Sequence, residues 1–182
     1  MRVLMTTHRG AGHFGPLVPF ARACLRAGHD VLVAAPRPAA AMVARAGLDF
    51  HPVEEADPAD EAPIYEQVRA LSPEAANELM MRDLFGRIRG GAALPAMLEA
   101  VAGWGPDIVL HEISELAGPA AADRYGVAHA RVGIGLAIGA LLHDRTYQRR
   151  AGLVAADIAE LPPVDEAVVV LEEIALGRAL AA

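Results

Sequence analysis

The sequence predicts an α/β protein, a Rossmann-like doubly wound parallel sheet, on three observations. Short apolar runs alternate with segments of helical periodicity from the first residue to about Val132, and the connections between them are short. The second run, Val31 to Ala35, is continuously apolar, as a strand buried on both faces must be. A strand, helix, strand, helix, strand order of this kind folds with right-handed crossovers into a parallel sheet.

Taken in order, Val3 to Met5 form the first strand, and a loop with glycines at 10, 12 and 15 follows. Pro16 opens a helix running to about Ala27, with Leu17, Val18, Phe20, Ala21, Cys24 and Leu25 as its apolar positions and Gly28 as its stop. Val31 to Ala35 is the second strand, ended by Pro36 and Pro38; Ala39 to Ala46 is a short helix closed by Gly47, and Leu48 to Val53 the third strand. Glu54 to Glu61, EEADPADE, has no apolar face and reads as a solvated loop. From Pro63 to Val101 the pattern is helical, with a start at Ser72-Pro73, a weak point at Gly90-Gly91, and an apolar stripe of Met80, Met81, Leu84, Phe85 and Ile88. That stripe suits core packing; methionine also suits a surface that accepts varied apolar ligands. Ile108 to Leu110 is the fourth strand, ending at His111-Glu112. Ser114 is placed to cap a helix from about Glu115 to Tyr125, and Val127 to Val132 is the fifth strand. Arg145 to Ala159 is expected to be helical, and Asp165 to Ala182 a last amphipathic helix. Residues 1 to 160 then form one domain and 161 to 182 a helical extension.

Composition excludes several functions. A formal charge of −7 argues against a nucleic-acid surface, and the sixteen basic residues are all arginine. No stretch is apolar and uncharged for the roughly 20 residues of a membrane span, and the first residues lack the form of a secretory signal. The single cysteine, Cys24, excludes an internal disulfide and fits a cytoplasmic chain; its position on the apolar face of the first helix predicts burial. No zinc-type ligand spacing is present, and no metal is expected.

The glycine loop, Gly10-Ala11-Gly12-His13-Phe14-Gly15, has the letters of the dinucleotide fingerprint G-x-G-x-x-G. Its context differs. Thr6 to Arg9 separate the first glycine from the strand, and the acidic residue that would hold a ribose at the end of the second strand is replaced by Ala35-Pro36-Arg37. Arg37 leaves an NADP-binding reductase as the remaining dinucleotide reading. A geometric argument is stronger. In a sheet ordered 3-2-1-4-5, strands one and four are neighbours at the switch point, so the loop carrying His13 and the strand end carrying Glu112 open onto one crevice. A carboxylate that accepts the N–H of one ring nitrogen fixes the tautomer and leaves the other to act as general base on a hydroxyl. Alternatively, both are solvated residues at strand ends. His8 could line the cleft but is read as structural or solvated, His111 as packed on the side opposite Glu112, and His29, His51, His129 and His143 as solvated or backbone-bonded.

Two segments, MRVLMTTHRGAGHFGPLVPFARACLRAGHDVLVAAP and GPDIVLHEISELAGPAAADRYGVAHARVGIG, resemble the amino-terminal domain of bacterial natural-product glycosyltransferases of the two-domain GT-B class. The resemblance implies that His13 is the general base on the acceptor hydroxyl and that Glu112 takes the place of its acidic partner, commonly an aspartate. It implies direct displacement with inversion at the anomeric carbon of a nucleotide sugar, without a metal or other cofactor. An apolar aglycone would lie against Phe14, Met80, Met81, Phe85, Ser114 and Glu115, with the loop at Gly12 and Gly15 facing the donor. The second, nucleotide-sugar-binding domain of that family is not expected in the residues after Val132, so the chain is expected to bind an aglycone and transfer no sugar by itself. A non-catalytic small-molecule-binding or partner-assisting module on the same fold is the alternative. A homodimer through the exposed apolar face or the last helix would be unsurprising.

Overall fold

A computed structural model describes residues 1–133 and 163–177. Five parallel strands, β1 (Arg2–Thr6), β2 (Asp30–Pro36), β3 (Asp49–Val53), β4 (Ile108–Glu112) and β5 (Ala128–Val132), form one sheet in the order β3-β2-β1-β4-β5. The predicted order 3-2-1-4-5 is therefore the observed one. Thr6 pairs with Ala34 on one side and with His111 on the other, which brings the carboxyl ends of the three central strands level.

Strand alternation divides the buried residues between two layers. Val3, Met5, Val31, Val33, Ile108 and Leu110 face α2 (Val18–Arg26), α3 (Ala40–Arg45) and α8 (Glu166–Ala175). Leu4, Ala34 and Val109 face α6 (Gly91–Trp104) and α7 (Ala117–Tyr125). Glu112 continues the Ile108, Leu110 parity, so the same rule that buries those two aims the carboxyl toward the α2 layer, where His13 lies. Cys24 is buried in that layer, as its place on the helix requires.

The helical layers depart from expectation in four places. The first helix starts earlier: Gly10, at φ +108°, turns the chain sharply out of β1, and its carbonyl accepts from His13 N and Phe14 N. His13 thus sits on a short helix, α1 (Ala11–Phe14), that runs through a 3₁₀ turn at Gly15–Leu17 into α2. The acidic run is not all loop. Asp57 caps α4 (Pro58–Val68) by accepting from Ala59 N at 2.8 Å, so Asp60 and Glu61 fall in a first helical turn, where the helix dipole favours them.

Ser72 caps α5 (Pro73–Leu79) as predicted, but Gly90-Gly91 is no break. Leu79, Met80, Gly90 and Gly91 are all right-handed helical, and α5 passes through a π-helical stretch, Met80–Gly90, into α6. The wider turn brings each backbone carbonyl close to the residue five positions on: a Cβ on Gly90 would lie 3.0 Å from Phe85 O, and one on Gly86 3.2 Å from Met81 O. Finally, α7 begins at Ala117, two residues later than expected, and its cap is the Glu115 side chain rather than Ser114.

α8 places Val168 and Leu171 in the same core as Val3 and Val33. It is pinned from outside by a bidentate Arg26–Asp165 pair (2.7 Å) and by His29 Nε2 to Glu172 (2.8 Å). His29, expected to be solvated or backbone-bonded, is largely buried, with Nδ1 3.2 Å from the amino terminus. The predicted helix at Arg145 to Ala159, and His143, lie outside the described residues.

Candidate active site at the carboxyl end of the sheet

The site is assembled where β1 and β4 end. His13 Nδ1 lies 3.3 Å from Glu112 Oε2, and the Ser114 hydroxyl donates to that same oxygen at 2.8 Å. Glu112 is 1% exposed and its Oε1 has no partner among the described residues, whereas the His13 side chain keeps about a third of its surface, 34%. Nδ1 is the buried ring nitrogen, and its 3.3 Å approach to Oε2 is a close contact rather than a fully formed hydrogen bond. Burial is the largest influence on Glu112 and works to raise its pKa; His13 and Ser114 together outweigh it and hold the carboxyl below its ordinary value. An ionised, largely buried carboxylate beside an accessible imidazole is the arrangement that fixes a tautomer and stabilises an imidazolium.

His8, for which the sequence favours a structural or solvated role over a place in the cleft, completes the cluster. Its ring stands edge-on to His13, with centroids 5.5 Å apart and planes at 86°, and it lies 5.4 Å from the Phe85 ring. His8 Nε2 lies 3.0 Å from the Ser114 carbonyl. Burial lowers the His8 pKa, and the Arg89 and His13 charges add to that; the Ser114 carbonyl and Glu112 oppose it. His8 is thus held neutral beside the candidate base. The available signal was position, since His8 comes two residues after the end of a central strand.

Phe85 is held in turn by Arg89, whose guanidinium sits 5.4 Å from the ring centroid. Arg89 makes a bidentate pair with Glu61 (2.7 and 2.8 Å) and donates to Tyr65 Oη at 3.0 Å. The π-helical stretch is thereby clasped to α4. Beside this clasp, between the ends of β1 to β3 and α6, lies a cavity of about 130 Å³ walled by His8, Arg9, Val53, Glu55, Glu61, Arg89 and Met97.

The remaining predicted residues distribute unevenly. Phe14, expected against an aglycone, is 3% exposed and packs into the α2 core with Leu17 and Ala21. Glu115 reaches the cavity wall, but its carboxyl is committed: it accepts from Thr6 Oγ1, from Ala117 N at 2.8 Å and from Gly118 N at 3.0 Å. Its complete burial raises its pKa. Met80, Met81 and Phe85 are half-buried, and none of the three lines that cavity. Gly12 and Gly15 are exposed on the α1 turn, and a Cβ at either would meet nothing. Arg37, the residue behind the NADP reading, is exposed and lies 3.9 Å from Glu54. Among the described residues, no group of three or more His, Cys, Asp or Glu is placed to hold a metal, and no helix is long and apolar enough to cross a membrane.

The family described as erythromycin biosynthesis protein CIII-like, N-terminal domain, matches residues 22–178. The chain belongs to that family. Among its relatives, an L-demethylnoviosyl transferase of Streptomyces niveus is 42% identical over 140 residues, covering 75% of this chain and 35% of the transferase. An erythronolide mycarosyltransferase of Saccharopolyspora erythraea is 31% identical over 156 residues, covering 72% and 36%. The crystal structure of the Streptomyces sp. SF2575 glycosyltransferase SsfS6, complexed with thymidine diphosphate, superposes with a TM-score of 0.61 at 30% identity, over 72% of this chain and 38% of that one. The fold is that of the amino-terminal domain of natural-product glycosyltransferases, and the chain spans about a third of the length of the curated relatives it matches.

Proposed function

We propose that this domain binds the acceptor of a natural-product glycosyl transfer, with His13 as the general base on an aglycone hydroxyl and Glu112 as the group that orients it. The carrying observation is the 3.3 Å approach of His13 Nδ1 to a carboxylate that is 1% exposed. With Nδ1 against Glu112, Nε2 is the nitrogen free to take the proton. As the hydroxyl oxygen attacks the anomeric carbon of a nucleotide sugar, its proton passes to Nε2, the bond to the diphosphate breaks, and the configuration inverts. The buried Glu112 stabilises the imidazolium so formed. General-base assistance of this kind supplies about 10² to 10⁴ in rate. The donor is a nucleotide sugar, for which thymidine diphosphate on SsfS6 is the supporting precedent. One relative's name gives erythronolide as its acceptor, and that supports an apolar aglycone here.

The test is a titration of the 182-residue chain with macrolactone and aromatic polyketide aglycones, and with NADPH, followed by fluorescence. Saturable binding of at least one aglycone, retained in His13→Ala, is expected. Saturable binding of NADPH with no binding of any aglycone would replace this reading by a nicotinamide-dependent one.

A further inference from the structure

The turn after β4 ties the two imidazoles of the site to one residue. Ser114 donates its hydroxyl to Glu112 Oε2, the oxygen facing His13 Nδ1, and its carbonyl lies 3.0 Å from His8 Nε2. Ser114 is itself 5% exposed. We propose that Ser114 is the positioning residue of this site: its hydroxyl fixes the plane of the Glu112 carboxyl against His13, and its carbonyl fixes the His8 ring that His13 rests on.

The argument starts from the freedom of a carboxyl group. The last torsion of a glutamate is broad and roughly two-fold, so a carboxyl with a single partner is poorly oriented. Among the described residues Glu112 Oε1 has no partner, and Ser114, through its hydroxyl at 2.8 Å and its nearby backbone N–H, is what sets the torsion independently of His13. For a carboxylate to select one tautomer of a histidine its oxygen must lie close to one ring nitrogen; Ser114 holds Oε2 3.3 Å from Nδ1, an approach short of full hydrogen-bond geometry that a bound acceptor would tighten.

Ser114 can do this because its own backbone is held at both ends. Glu115 N donates to Glu112 O at 3.1 Å, closing the turn around Ser114. The Glu115 carboxyl then locks the turn to β1 through Thr6 and to α7 through Ala117 N and Gly118 N. The neighbouring Gly118 leaves no room for a side chain: a Cβ there would overlap Thr6 Oγ1 and lie 2.7 Å from Glu115 Oε2. Ser114 touches the pair from the protein side, so its role is exerted through Glu112 and His8 rather than on substrate. The inference rests on the general-base reading of His13, and its test separates the two.

The measurement is long-range ¹H–¹⁵N correlation on the full chain carrying ¹⁵N-histidine, which reads the protonated nitrogen of each ring. In the wild type, His13 is expected with its proton on Nδ1 and His8 with its proton on Nε2. Ser114→Ala keeps the carbonyl and removes the hydroxyl, so the His13 signals should move to the average of two tautomers while those of His8 stay. Ser114→Thr should restore the wild-type pattern. An unchanged His13 in Ser114→Ala overturns the role of Ser114 and leaves the base reading standing. A wild-type His13 protonated on Nε2 overturns the base reading itself. If Ser114→Ala disturbs His8 as well, the threonine variant decides: recovery of both rings supports the proposal, and a folded threonine variant with mixed His13 tautomers overturns it.

Discussion

At the scale of single residues, the site is set by what fits between β1 and α7. Gly118 occupies a position where a methyl group would overlap Thr6 Oγ1, Thr6 Cγ2 and Glu115 Oε2, all closer than 3.0 Å. Thr6 and Glu115 are both fully enclosed, with exposures of 0% and 2%, so neither can yield cheaply. Gly118→Ala is therefore expected to cost about 3 kcal/mol, the upper end of ordinary overpacking penalties, measured by urea denaturation of the pure chain. An effect below 0.5 kcal/mol would mean that the β4–α7 turn is soft, and the placement of Ser114 and Glu112 with it. At this scale the sequence spoke clearly about His13 and Glu112 and poorly about their neighbours. Phe14 follows His13 in a motif and was assigned to the ligand, but a helix turn of 100° per residue carries it into the core instead. Glu115 is expected near the cleft, and reaches it, yet two of the orphan N–H groups at the start of α7, those of Ala117 and Gly118, claim its carboxyl first.

At the scale of elements, the most informative departure is the unbroken helix from Pro73 to Trp104 with its π-helical middle. Paired glycines predict a break because each glycine weakens a helix, and single-sequence patterns carry no sign that a wider turn will use the same glycines for close approach to a carbonyl. The acidic run is a similar case. Its charge pattern described Glu54 to Asp57 correctly as loop, while Glu61 has a partner 28 positions away that no local rule could supply. That partner, Arg89, has a side chain 23% exposed and depends on Glu61 and Tyr65 for its hydrogen bonds. Glu61→Ala leaves the guanidinium without its bidentate acceptor, at a cost of about 1 to 3 kcal/mol. The loss should be local first: amide exchange across residues 80–90 should quicken more than that of β1 or β4, read by hydrogen exchange with mass spectrometry. Equal changes in the strands and the clasp would show that α4 and the π-helical stretch do not open as a unit.

At the scale of the whole molecule, the strand order β3-β2-β1-β4-β5 makes one crevice of residues 99 positions apart, and this much was legible because the alternation of strands and helices leaves few alternative sheets. What was not legible is the company kept by the last helix. Residues 161 to 182 read as a helical extension with Val168, Val169, Leu171, Ile174 and Leu180 available for docking, but an amphipathic helix after a proline break carries no record of which surface it covers. In the structure Val168 and Leu171, each 5% exposed, join Val3, Val33 and Leu110 in a single core, and the Arg26–Asp165 ion pair and the 2.8 Å His29–Glu172 contact close the seam from outside. Exposed pairs such as Arg26–Asp165 contribute at most about 1 kcal/mol, so the apolar contacts must carry the docking. Leu171→Ala removes a side chain from that shared core and is expected to lower stability by about 2 to 4 kcal/mol. If α8 belongs to the cooperative unit, the variant unfolds in one transition, with near- and far-ultraviolet circular dichroism coincident and the denaturant slope unchanged. A tail that merely rests on the sheet would detach first, and the same variant would show an early loss of helix signal with the midpoint of the main transition where the wild type has it.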